Sequence, residues 1–314
     1  MQLNENADLD TGQVEDLRGS TSGSGLGGTG GGFPIPIPMG GGKIGMIITV
    51  IVVLGMILLG GTFGSGLLGG GDGSQQADNS AIEQRCAKTN QNRFQDPSCR
   101  NWLYVQSVQT YWATTLPQVF RVQYQSATTR FFSGSVSTGC GQADSGVGPF
   151  YCPADRHVYI DLTFYDELSN RFGASGEFAA PYVVAHEYGH HVQTLLGTET
   201  KMREAQQRDP SNANRYSVML ELQADCYAGA WAHGATTTKD RDGDTLFTSI
   251  TDADVQEAVE TAEAIGDDAI QKKTTGRVNQ DQFTHGSSAQ RRDWFLRGQK
   301  SGDPRQCDTF SAGV

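Results

Sequence analysis

A chain of 314 residues with 24 Lys+Arg against 35 Asp+Glu carries a formal net charge of −11. That excludes a nucleic-acid binder, because neutralising phosphates takes a basic face. Of its 40 glycines, 22 fall in the first 73 residues, so the first quarter is expected to lie outside the core, leaving one globular domain behind a tail.

Residues 1–43 read as a disordered Gly/Pro-rich tail. Gly19 to Gly42 is rich in Gly and Ser and holds the run Phe33 to Pro38, FPIPIP, a composition that buries no core. Residues 44–63, IGMIITVIVVLGMILLGGTF, carry no charge and would span roughly 30 Å as a helix, the thickness of a bilayer's hydrocarbon core. With 43 residues before it, five of them acidic, this stretch is expected to be an uncleaved transmembrane signal anchor rather than a cleaved signal peptide. Lys43 on its N-terminal side, against Asp72, Asp78 and Glu83 beyond it, puts the N-terminus in the cytoplasm and the domain in the periplasm or outside the cell. A flexible linker, 64–80, leads to the domain, 81–314.

All six cysteines (Cys86, Cys99, Cys140, Cys152, Cys226 and Cys307) follow the apolar stretch, as an oxidising compartment would require. Six cysteines allow 15 pairings. Short loops favour Cys86 with Cys99 and Cys140 with Cys152, which leaves Cys226 with Cys307, and the sequence alone keeps the others open.

The run His157 to Leu162, HVYIDL, reads as a strand. The segment Pro181 to Gly197, PYVVAHEYGHHVQTLLG, is an apolar helix that places His186, Glu187 and His190 as H-E-x-x-H. Two histidines four residues apart project about 40° apart on one face, a spacing that lets both imidazoles hold one Zn²⁺ while Glu187 reaches a water as general base. A catalytic zinc takes a third protein ligand. Glu221, in the apolar stretch Val218 to Trp231, VMLELQADCYAGAW, is the candidate, because an unpaired carboxylate there would cost several kcal/mol. Asp225, one turn on, can accept the free ring N–H of a zinc-binding histidine and orient it. His191 and Cys226 sit about 140° around their helices from His186 and Glu221 and are expected to face elsewhere.

Asp240, Asp242 and Asp244 around Gly243 miss the register of an EF-hand and read as an Asp-Gly turn. Thr251 to Ile265 is expected to be an amphipathic helix with Val255, Ala258, Val259 and Ala262 on one face. In FTHGSSAQRRDWF, Ser287 and Gln290 are spaced as a capping box, with Gly298 as the stop of the helix they open.

The blocks GCGQADSGVGPFYCPADRHVYIDLTFYDEL (Gly139 to Leu168), AHEYGHHVQ, ELQADCYAGAW and FTHGSSAQRRDWF resemble the neutral zinc metallopeptidase family of bacterial single-pass membrane proteins, from roughly Ala81 to the C-terminus. More distantly they resemble gluzincin peptidases, where a glutamate on a later helix is the third ligand and an aspartate four residues on supports a histidine. That resemblance implies the same roles for Glu221 and Asp225, an edge strand at His157 to Leu162 that pairs with extended substrate, and His285 as the donor to the tetrahedral oxyanion, with Tyr165 and His157 as competitors.

The expected fold is α+β: a small sheet packed on the H-E-x-x-H helix, crossed by a second ligand-bearing helix and preceded by one transmembrane helix. The expected function is a membrane-anchored zinc metallopeptidase with one Zn²⁺ per domain, His186, His190 and Glu221 as ligands, Glu187 as base, and a peptide or protein substrate. The competing classes are a membrane-anchored binding protein with a structural zinc and a zinc hydrolase of non-peptide amides in the cell wall. Substrate identity and oligomeric state are not legible.

Overall fold

The computed structural model of the protein describes residues 1–18 and 77–313. In chain order the elements are β1 (Gln2–Leu3), β2 (Val14–Asp16), α1 (Ser80–Cys86), α2 (Pro97–Phe120), β3 (Thr128–Phe131), β4 (Ser135–Thr138), β5 (Gly141–Asp144), β6 (Phe150–Cys152), β7 (His157–Ile160), α3 (Ala179–Leu196), α4 (Thr198–Arg208), α5 (Ala213–Gly234), β8 (Phe247–Ser249), α6 (Asp252–Ala264), α7 (Asp267–Thr275) and α8 (Ser288–Ser301), with short helical turns between them. The α+β expectation holds for the domain.

The main sheet runs β2-β3-β7-β6. β2, β3 and β7 are parallel, with Val14 opposite Thr129 and Thr129 opposite Val158. β6 closes the sheet antiparallel to β7, Phe150 facing Tyr159. The run expected as an edge strand is therefore interior: β7 has a neighbour on each side, and the free edge beside α3 belongs to β6. Alternation of apolar side chains marks a strand but carries no information about its neighbours.

The N-terminal residues are not a separate tail. Ala7, Leu9 and Val14 are buried in the main core, and Leu17 in a smaller one with Phe150 and Tyr159. The Gly-rich stretch from Gly19 to Gly42, the apolar stretch 44–63 and the expected linker as far as residue 76 lie outside the described residues. The expectation of a preceding transmembrane helix and a single-pass location does not hold: no helix among the described residues is long and apolar enough to cross a membrane. Moreover, the chain on the N-terminal side of residues 44–63 folds into the same sheet as the chain beyond it.

Helix α5 is the centre of the helical layer. It packs on α3 along one side and on α8 along another, and its side chains from Ser217 to Ala232 are all buried. Both crossings use small residues. A Cβ on Gly189 would stand 3.0 Å from the Ala224 Cα, and one on Gly298 would stand 1.9 Å from the Cys226 carbonyl oxygen. Gly298 is thus a packing residue within the last turn of α8 rather than its stop. That helix runs on to Gly302, which takes the left-handed conformation at its end. The capping boxes Thr251/Asp254 and Ser287/Gln290 open α6 and α8, and Gly197, at φ 71°, ends α3. On α6, Ala258, Val259 and Ala262 face the core, with Val255 at its margin.

Three disulfides join Cys86 to Cys99, Cys140 to Cys152 and Cys226 to Cys307. The first ties α1 to α2, the second ties the β4–β5 hairpin to β6, and the third ties α5 to the C-terminal segment. The Asp240 to Asp244 stretch is a turn: the Asp240 carboxylate accepts the backbone N–H groups of Asp242 and Asp244, with Gly243 at φ 91°.

Candidate metal centre

Helix α3 presents His186, Glu187 and His190, and α5 presents Glu221, into one cavity. The His186 Nε2 lies 3.2 Å from Glu221 Oε2 and the His190 Nε2 lies 3.5 Å from Glu221 Oε1. One nitrogen or oxygen from each of His186, His190 and Glu221 falls within 4.8 Å of the others. Two ligand atoms about 2.05 Å from a tetrahedral zinc stand about 3.3 Å apart, so the spacing suits that ion. Glu221 is 2% exposed, and its Oε1 is buried without a hydrogen-bond partner. A buried carboxylate oxygen left in this state costs several kcal/mol unless a cation satisfies it. The residues fit zinc.

The ring tautomers are set from behind. Asp225, with no exposure, places Oδ1 2.8 Å from His186 Nδ1, and Gln193 Oε1 lies 2.8 Å from His190 Nδ1. With both Nδ1 atoms facing acceptors, both Nε2 atoms are turned to Glu221. Gln193 is itself held by donating to the Leu220 carbonyl and to Gln223 Oε1.

Asp225 also accepts from Tyr182 Oη at 2.6 Å, from Arg291 Nε at 2.8 Å and from Arg291 Nη2 at 3.0 Å. Burial opposes its charge, but Arg291 and His186 outweigh that and hold the carboxyl down at about 2. Arg291, 3% exposed on α8, caps the network and donates its Nη1 to the Ile265 carbonyl.

Glu187 is 8% exposed and lines the same cavity. Burial raises its pKa above the usual glutamate value, while the backbone N–H of Tyr151 on β6 favours the charged form. A carboxyl tuned upward is a better proton acceptor near neutral pH. His285 lines the same cavity. Asp267, the first residue of α7, accepts the backbone N–H groups of Thr284, His285 and Gly286 on Oδ2 and places Oδ1 3.2 Å from His285 Nδ1. Burial works against a charged His285 ring, but Asp267 and the charge of Glu221 outweigh it, and its pKa is raised.

The competitors for His285 lie elsewhere. Tyr165 donates to Asn101 Oδ1, and the His157 ring faces Asp155. His191 points away as expected: it accepts from Tyr151 Oη and donates Nε2 to the Gln125 carbonyl. Cys226 is in its disulfide. Sequence reasoning missed Tyr182, Gln193, Asp267 and Arg291. Arg291 carried a faint signal, since Trp294 and Phe295 share its helical face, and the other three carried none.

The chain is similar to proteins of several bacteria. Over 308 residues it is 40% identical to the uncharacterized protein YpfJ of Escherichia coli K12, with 96% of each chain covered. Over 223 residues it is 48% identical to the uncharacterized proteins Mb2605 of Mycobacterium bovis and Rv2575 of Mycobacterium tuberculosis, covering 70% of this chain and 72% of each relative. No solved structure matches it. The family model described as "Putative neutral zinc metallopeptidase" matches residues 4–310, from the strand-forming N-terminal segment through both helices of the metal centre to the C-terminal segment. With nearly its whole length matched, the chain belongs to that zinc metallopeptidase family.

Proposed function

We propose that the domain hydrolyses peptide bonds at this centre. The observation that carries the proposal is the convergence of His186, His190 and the orphaned Glu221 oxygen on one point, with Glu187 beside them in an open cavity. Zinc, held through Nε2 of both histidines and the Glu221 carboxylate, would supply a Lewis acid that polarises the scissile carbonyl and acidifies a water. Glu187 takes a proton from that water as its oxygen adds to the carbonyl carbon, then delivers it to the amide nitrogen as the C–N bond breaks. His285, whose charged form the Asp267 carboxylate favours, donates to the carbonyl oxygen as negative charge develops there. Asp225 holds the His186 ring in place, and Arg291 offsets the carboxylate's charge.

The cavity as a whole is walled mainly by apolar side chains, among them Val147, Pro149, Phe164, Phe172, Ile265 and Ile270, with Ser145, Glu167 and Arg171 also in its lining. Its volume of about 140 Å³ is near that of an apolar cavity that accepts a benzene ring. Peptides with a large apolar side chain beside the scissile bond are the matching substrates.

The test is cleavage of a broad peptide library by the zinc-loaded protein and by Glu187→Gln. The variant should keep one zinc and the parental melting temperature while turnover falls by about 10²–10⁴-fold, the usual size of a general-base contribution. Equal turnover removes Glu187 from the reaction. Zinc binding with no cleavage in the parent assigns the metal to a structural clamp.

A further inference from the structure

The amino-terminal segment sits in a groove whose polar groups are arranged for it. Gln106 on α2, 4% exposed, accepts the Asp10 backbone N–H and donates to the Asp8 carbonyl, so both ends of its amide are spent on the segment. Trp102 Nε1 donates to the Asp10 carbonyl. Arg93, 1% exposed, donates to the carbonyls of Glu5 and Ala7. Without the segment these donors would lose those partners, at about 1–3 kcal/mol for each one left buried, and β3 would lose one of its two neighbours.

The chain also leaves and re-enters at one place. Asn79, two residues after the chain is next described at Ala77, donates to the Val14 carbonyl at 2.8 Å and accepts the Asp16 backbone N–H at 2.9 Å. Just beyond β2, Arg18 donates to Ser98 Oγ at the start of α2. A hydrocarbon core of about 30 Å cannot stand between groups at hydrogen-bond distance.

We infer that residues 1–18 and 77–313 occupy one compartment, the oxidising one in which the three disulfides form, and that the seated amino-terminal segment is an integral strand of the domain.

Two measurements on the full chain test this. Thr11→Cys, exposed on the segment, and Gln207→Cys, exposed on α4, are treated with a membrane-impermeant maleimide in bacterial cells with an intact inner membrane. Equal labelling of the two positions is expected. Labelling of Gln207→Cys in intact cells with Thr11→Cys protected until the inner membrane is broken would overturn the inference. In the second, a specific protease site inserted between Gly41 and Gly42 is cut in the purified protein. The amino-terminal fragment should co-elute with the domain until denaturant is added, and Gln106→Leu should speed its release at least tenfold. Immediate loss of the fragment from the cut parent would show that the segment is not held, whether or not the Gln106 variant folds.

Discussion

Replacing Asp225 by Asn separates two jobs that this carboxylate performs at once. It receives four hydrogen bonds, from Tyr182, His186 and two nitrogens of Arg291, with no exposure to water. The amide has nearly the same volume but carries no charge, and its NH₂ must face a donor whichever way it is turned. Arg291 is left as a buried cation without a counter-charge, a loss of about 3–5 kcal/mol. At about 2–4 °C per kcal/mol for a domain of this size, the midpoint should fall by roughly 6–20 °C. Zinc affinity should fall separately, by about 10–100-fold, because His186 Nδ1 no longer meets a carboxylate. Adding Arg291→Met removes the stranded cation, so the double variant should recover most of the stability and none of the affinity, a non-additivity expected of partners in contact. Thermal melts of chelated protein and zinc titrations of each variant supply the two readouts. A midpoint within about 2 °C of the parent for Asp225→Asn, or parental zinc affinity in the double variant, would refute the reasoning.

Gly298→Ala should destabilise by at least the 1–3 kcal/mol typical of overpacking, since its Cβ would stand 1.9 Å from one backbone atom of α5 and 2.8 Å from another; an unchanged thermal midpoint would mean that α8 does not cross α5 this closely. The alkaline limb of kcat/KM should lie above the ordinary histidine range, because His285 has a raised pKa and donates only while protonated. Asp267→Asn removes the carboxylate that favours the charged ring, so that limb should move to lower pH. The same sign holds for stability: the contribution of the His285–Asp267 pair is fully present below the unfolded histidine pKa and is lost as pH rises through the folded one. An alkaline limb unmoved by Asp267→Asn would take His285 out of the reaction.

The local features of the site were legible because they are written within single helices. A pair of histidines four residues apart shares a face of any helix, and carboxylates among Leu220, Leu222 and Trp231 demand a partner wherever that helix packs. Both capping boxes followed from residues three apart. Averages misled where they crossed a boundary. Glycine counted over 73 residues hid a stretch of 18 with a single glycine, Gly12, and that stretch supplies β2. Gly298 reads as a stop in the sequence because a glycine serves equally to end a helix or to admit a neighbouring backbone.

The sequence by itself determined that His186, His190 and Glu221 converge as a candidate metal site with Asp225 behind them, and the α+β character of the domain. Only the tertiary structure decided that β7 is interior, that Val14 lies opposite Thr129, that Asp267 holds His285 and that Arg291 answers Asp225 from 66 residues away. Helical facing repeats every 3.6 residues and can be read from spacing. Partners on different elements have no period, and are set only by how the layers close on one another.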